Sequence, residues 1–284
     1  EWKRWQEDGA PSDVAEWRSR APAAPTLRQF DEYHRSRVKD WEQNMHQIEN
    51  FADDKGLPRD FVSQGFRSII DKSDLAMRVP PEALEGILKD GRFKTQFETG
   101  RSRGTLSPTD RRKASESLFG WTGEPPKKNE FEKYGYLADK NTERDFRLSN
   151  TRHYGDVMIK FKRDNVFGRT TFAADDSLDP ALDFDLVPSR LSSPSWTSLR
   201  QDTISSGDRK VLEALKSAYE GKVGPIDYCD QAYPLYIELQ FHGELTLDDI
   251  EEVVFRPKRY GSDVKDPLKK IMNDLGIKWK DFDL

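Results

Sequence analysis

The segment Leu235-Tyr236-Ile237-Glu238-Leu239-Gln240-Phe241-His242-Gly243 alternates apolar and polar residues with the period of a β-strand. Successive side chains on a strand point to opposite faces. Ile237, Leu239 and Phe241 therefore share one face, and Tyr236, Glu238, Gln240 and His242 share the other. That second face is a row of hydrogen-bonding groups on a rigid support. A carboxylate held there, as Glu238 would be, lowers the barrier to a step in which positive charge develops beside it. The commoner catalytic signatures are missing from the sequence: no phosphate-cradling glycine loop followed by Lys-Ser or Lys-Thr, no GxGxxG after a strand, no HExxH and no GxSxG. Only four histidines occur, His34, His46, His153 and His242, which supplies a histidine-based triad poorly. The single cysteine, Cys229, has no partner for an intrachain disulfide, and no Cys/His spacing suggests zinc, so no metal site is expected.

The elements that must position this row are those of a mixed chain. At 284 residues it is long enough for one large domain with an appendage. Charged residues (34%) nearly equal hydrophobic ones (35%), which leaves enough apolar content to fold while implying long solvated segments. A net charge of −5 with both signs interspersed lacks the basic footprint of sequence-independent nucleic-acid binding. No apolar run approaches the roughly 18 residues that span a bilayer, and no charged-then-apolar leader opens the chain. Glu1 in place of methionine is what a domain cut from something longer would show.

Phe30, Val38, Trp41, Met45, Ile48 and Phe51 fall at helical spacings, and residues 1–60 read as a helical region preceding a domain at 61–284. Within that domain the pattern predicts a helix over Phe61–Ile70, a strand over Leu75–Val79, and a helix opened by Pro80-Pro81 and closed by Gly91. A strand is expected from Phe93. Residues 105–150 read as a long insertion with one short helix near Lys113–Phe119. Strands follow at Val157–Phe161 and Arg169–Ala173, a surface loop at 179–208, and a helix at Arg209–Tyr219. Gly221 to Pro234 reads as a connecting loop before the polar-faced strand. A final strand at Glu252–Phe255 and a helix near Leu268–Leu275 complete the order, which is α+β and not the regular alternation of a doubly wound sheet.

A series of short motifs carries a resemblance. Leu75-Ala76-Met77-Arg78 is followed by Leu84-x-x-Ile87-Leu88-x-x-Gly91-x-Phe93, then Tyr154-Gly155-Asp156-Val157, Arg169-Thr170-Thr171-Phe172 with Asp176-Ser177, and Tyr236-Ile237-Glu238-Leu239-Gln240. In order and spacing this series resembles the ADP-ribosyltransferase superfamily, in particular domains of bacterial polymorphic toxins and phage-associated proteins. Thr95-Gln96-Phe97-Glu98-Thr99 with Ser102 and Gly104, and Arg112 with Glu116 before Phe119-Gly120, are similar to a poorly characterised actinobacterial branch. The likeness covers about residues 65–284.

The resemblance implies a split antiparallel β-sheet core, to which the N-terminal helical region, outside the likeness, is read as an extension. It also implies NAD as substrate, with transfer of ADP-ribose to a macromolecule. Cleaving the nicotinamide–ribose bond passes through an oxocarbenium-like state that a carboxylate stabilises. Glu238 is the catalytic candidate on this reading. Many relatives carry Glu-x-Glu or Gln-x-Glu on this strand, with the second glutamate essential, whereas this chain has Glu238-x-Gln240. Either Glu238 is the acid, with Tyr236 two residues before it, or the frame is shifted and Gln240 holds the catalytic place. Arg78 matches the arginine that grips the pyrophosphate by paired charge-assisted hydrogen bonds. Thr171, Ser177 and Ser102 are candidates for the hydroxyl that positions the glutamate, and with Tyr236 they complete the expected NAD-binding set. The resemblance further implies a secreted or injected toxin or effector acting in the cytoplasm of a target cell. A protein acceptor is favoured over nucleic acid, with an immunity or inhibitor protein as partner and no membrane. An NAD glycohydrolase, or a silent phage-structural or toxin-delivery module, would share the fold.

Overall fold

In the computed structural model the residues described are 41–100, 127–173, 209–232, 236–256 and 261–282, with positions 109, 111, 112 and 115 and the pair 191–192. Eight strands hydrogen-bond in one sheet: β1 (Ser73–Val79), β2 (Lys133–Asp139), β3 (Val157–Phe161), β4 (Thr170–Ala173), β5 (Leu191–Ser192), β6 (Glu238–Phe241), β7 (Ile250–Phe255) and β8 (Trp279–Asp281). Their spatial order is β5-β4-β6-β2-β1-β3-β7-β8, antiparallel throughout except for the parallel β7–β8 pair. The fold is α+β. Its two halves meet on different parts of β2: Lys133 to Tyr136 pair with β6, whereas Tyr136 to Asp139 pair with β1. Tyr136 is the residue shared by both ladders.

Residues paired across a ladder share a face, which assigns the whole sheet. Leu75, Leu137, Ile159, Leu239, Phe172 and Val253 lie on one face and join the main apolar core. Helices cover that face. They are α1 (Trp41–Lys55), α2 (Phe61–Asp71), α3 (Pro81–Asp90), α7 (Arg209–Tyr219) and α9 (Ser262–Asp274), joined by the short α4 (Gln96–Thr99), α5 (Thr142–Leu148), α6 (Arg163–Val166) and α8 (Pro225–Ala232), while the described positions 109, 111, 112 and 115 are helical as well. The expected boundary at residue 60 falls between α1 and α2. Ile48, Phe51 and Ala52 of α1 enter the same core as Phe61, Phe66 and Ile69 of α2. The opposite face carries Ala76, Tyr136, Met158 and Val254, which with Ala138, Phe146 and Tyr236 form a smaller cluster.

Several elements depart from the sequence reading. The supposed insertion at 105–150 contains β2, a central strand, and α5. Its alternation is hidden because Lys133 and Gly135 occupy the core-facing positions while Tyr134 and Tyr136 face the polar side. Around Phe93 there is no strand, only the bridge between Arg92 and Thr246. The loop expected at 221–234 is largely helix α8. Pro225 opens it as a first-turn proline can, its missing N–H being surplus there. Tyr228 accordingly lies 1% exposed, its ring edge-on to Phe66 at 5.6 Å.

The closest helix contact gives a test of the packing. Gly65 sits mid-way along α2, where a Cβ would come within 2.6 Å of the Leu215 carbonyl oxygen of α7. Glycine to alanine inside a helix ordinarily gains about 1 kcal/mol. Here the methyl group would meet backbone, which cannot rotate away, so Gly65→Ala is expected to lower the thermal midpoint. A midpoint equal to or above that of the wild-type chain would show that α2 and α7 lie farther apart.

Candidate active site on the polar face of the sheet

Strand pairing brings the motif residues onto one side. Thr171 of β4 is opposite Gln240 of β6, and Tyr134 of β2 is opposite Gln240 on its other flank. One step along, Glu238 lies between Ala173 and Tyr136. Tyr136 in turn pairs with Ala76 of β1, two residues before Arg78 on the same face. Glu238 and Arg78 therefore flank one tyrosine from opposite sides, although 160 positions of numbering separate them.

A continuous hydrogen-bond chain links four buried side chains of β6, β4 and the residue that follows β6. His242 Nε2 lies 2.9 Å from Thr171 Oγ1, Thr171 donates to Gln240 Oε1 at 2.8 Å, and Gln240 Nε2 donates to Glu238 Oε1 at 2.5 Å. Glu238 is 2% exposed and Gln240 is fully buried. The carboxylate is thus held by a side-chain amide from its own strand, and that amide is held by a hydroxyl from the next. Burial, together with Lys133 and Arg169, pushes the His242 imidazole down to about 3, so it is neutral across the physiological range.

Arg78 has a second set of partners. Its Nε donates to Tyr136 Oη at 2.9 Å, and its NH2 group donates to Asp145 Oδ1 at 2.6 Å and to the Asp145 carbonyl at 3.1 Å. Asp145 also accepts from Tyr136 Oη at 2.8 Å and from the Asp139 amide at 2.9 Å. The guanidinium lies over Phe146, 4.7 Å from the ring centroid. Burial opposes its charge, but Tyr136 and Asp145 outweigh burial and hold its pKa above the usual arginine value. The resemblance implies a paired grip on pyrophosphate, and most of that fork is committed to Asp145 and Tyr136. What remains is NH1, which is buried and has no hydrogen-bond partner among the described residues.

The other expected site residues divide. Tyr236 is 5% exposed and its hydroxyl meets that of Tyr154 at 2.8 Å, beside the same small cluster. Ser177 and Ser102 lie outside the described residues. The structure also supplies groups that the sequence did not single out. Asp145 and Tyr136 fix Arg78. On β2, Tyr134 donates to Glu132 Oε1 at 2.6 Å, and Ser115 donates to Glu132 Oε2 at 2.9 Å. Burial pushes the Glu132 carboxyl up. Glu132, Tyr134 and Tyr136 recur every second residue, a signal of the same kind as that on β6 but obscured by the charged and glycine residues between them. Among the described residues no cluster of His, Cys, Asp and Glu is arranged to hold a metal ion, and no helix is long and apolar enough to cross a membrane.

No family model matches the chain. It is similar to the gene 2 protein of Mycobacterium phage L5, with 26% identity over 226 residues covering 77% of this chain and 76% of that protein. Among solved structures it is similar to Thermus sp. 2.9 DarT in complex with ADP-ribosylated ssDNA, at 11% identity and a TM-score of 0.39 over 75% of this chain and 95% of that one. The same protein in complex with NAD+ gives 11% identity and a TM-score of 0.38 over 74% and 96% of the two chains.

Proposed function

We propose that this chain cleaves the bond between nicotinamide and ribose in NAD and transfers ADP-ribose to a macromolecule. The observation that carries the proposal is the gathering of Glu238, Gln240, Thr171 and Arg78 on one face of one sheet, from three stretches that bear the motif resemblance. When the C–N bond breaks, its electron pair leaves with nicotinamide and positive charge develops on the ribose. The Glu238 carboxylate, fixed by Gln240, stabilises that charge without having to reorganise. Of the two frames open in the sequence, the proposal takes Glu238 as the carboxylate and Gln240 as its holder, because a neutral amide cannot balance a cation. The NH1 group of Arg78, which has no hydrogen-bond partner among the described residues, would give one phosphate oxygen of the dinucleotide a single contact in place of a fork. Release as a toxin or effector, and restraint by an inhibitor protein, belong to the same proposal.

A second reading is a catalytically silent phage-associated module. The near-complete burial of both Glu238 and Arg78 favours it, since NAD must reach the carboxylate. The two readings, and the choice of acceptor, separate in one experiment. The chain is incubated with NAD labelled in its adenylate half, alone, with bacterial lysate protein, and with single-stranded DNA. Label on protein or on DNA is the expected result and names the acceptor class, whereas free labelled ADP-ribose alone would identify a glycohydrolase. Recovery of intact NAD in every arm would support the silent module.

A further inference from the structure

We infer that His242 is a positioning residue for the Glu238 carboxylate, acting from the far end of the hydrogen-bond chain through Thr171 and Gln240. The inference rests on the NAD-cleaving reading of this face. Its logic is a count of protons. Gln240 can present its amide in two orientations, and only one is compatible with the ionised Glu238 that the NAD-cleaving reading requires, because the reverse would set Oε1 against the carboxylate oxygen 2.5 Å away. With the NH2 group turned to Glu238, Gln240 Oε1 faces Thr171 and needs a donor. The Thr171 hydroxyl has one proton, and giving it to Gln240 leaves its oxygen as an acceptor toward His242 Nε2. His242 must then carry its proton on Nε2.

The other tautomer would break the sequence. A bare Nε2 would draw the Thr171 proton to itself, leave Gln240 Oε1 without a donor, and loosen the amide that holds Glu238. His242 is 4% exposed, and the charges bearing on it are the cations Lys133 and Arg169, so the ring stays neutral and its tautomer is the variable that matters. Arg169 is tied to Asp249 at 2.8 Å, and Lys133 donates to the Gly243 carbonyl at 2.8 Å. His242 therefore transmits direction, with no proton passing to or from the substrate.

The test combines kinetics with a measurement that needs no NAD. Nicotinamide release is followed for the wild-type chain, His242→Leu, His242→Gln, Thr171→Val and the double variant His242→Leu/Thr171→Val. Loss of one orienting hydrogen bond is expected to lower kcat about tenfold in His242→Leu and in Thr171→Val, with KM for NAD held within about twofold. His242→Gln, whose amide can donate in place of Nε2, should recover turnover to within about threefold of wild type. Because both residues act through one route, the double variant should be no slower than Thr171→Val. Additive losses would overturn the inference, as would equal turnover in His242→Leu and wild type. Nitrogen-15 NMR of the wild-type chain, with the His242 ring assigned by through-bond correlation from its own backbone amide, should show the proton on Nε2 at neutral pH; a proton on Nδ1 overturns the inference even if no variant folds. A wild-type chain that releases no nicotinamide would refute the NAD-cleaving reading, while the tautomer result would still decide the direction of the hydrogen-bond chain.

Discussion

Glu238→Gln is expected to reduce nicotinamide release by at least about two to three orders of magnitude, the scale on which preorganised electrostatic groups act. The substitution keeps the volume of the side chain and leaves an oxygen to accept from Gln240, so the thermal midpoint should stay close to that of wild type. Only the charge opposite the developing cation is lost. Gln240→Ala removes the holder and leaves the charge, and its expected loss is smaller, about ten- to a hundredfold on the scale of misplacing a reacting group by a fraction of an ångström. The comparison is read from initial rates of nicotinamide release at saturating NAD. If Gln240→Ala proves the more damaging of two equally stable variants, the catalytic centre moves to Gln240 and the shifted frame is the right one.

Acid should destabilise the fold through His242. An unfolded chain takes up a proton on this imidazole near pH 6.5, whereas in the native structure burial, Lys133 and Arg169 hold the ring neutral down to about pH 3. Between those values the unfolded state binds more protons than the native one, so stability falls as pH falls. The contribution is complete above pH 6.5 and is lost progressively toward pH 3, at about 1.4 kcal/mol per pH unit and roughly 5 kcal/mol at most. Urea unfolding at pH 7.5 and pH 4.5 should therefore show the wild-type chain losing about 3 kcal/mol more than His242→Gln over the same interval. Equal losses in the two chains would mean that His242 titrates in the native state as it does in water.

The row on β6 was legible because strand alternation is local: four polar positions separated by apolar ones suffice to place Glu238, Gln240 and His242 together. Helix α7, at Arg209–Tyr219, was legible in the same way, from the spacing of Val211, Leu212 and Leu215. What fixes each catalytic candidate was not legible. Arg78 is bound by Asp145 and Tyr136, 67 and 58 positions away, and both arrive from the stretch that looked like an insertion. β2 carries tyrosines on its site face and a lysine and a glycine on its core face, which cancels the apolar period on which strand recognition depends. Gly135 is there for space, since a Cβ would lie 2.5 Å from the Ala76 carbonyl oxygen and 2.6 Å from the Phe241 ring. Helix α8 was obscured by Gly224-Pro225, a pair that reads as a break and in fact starts a helix. His242 stood in plain view within the row, but its role depends on Thr171 across a strand pairing that the sequence does not announce.

The face that carries Glu238, Gln240 and Thr171 is proposed to split NAD, and release of the nicotinamide ring tests that most directly. Purified wild-type chain and Glu238→Gln, matched for thermal midpoint, are incubated with NAD labelled in the nicotinamide ring, with lysate and single-stranded DNA present so that no acceptor is lacking. Time-dependent release of free nicotinamide by the wild-type chain, abolished in Glu238→Gln, is the expected result. Equal release by the two proteins, or none by a folded wild-type chain, would contradict it.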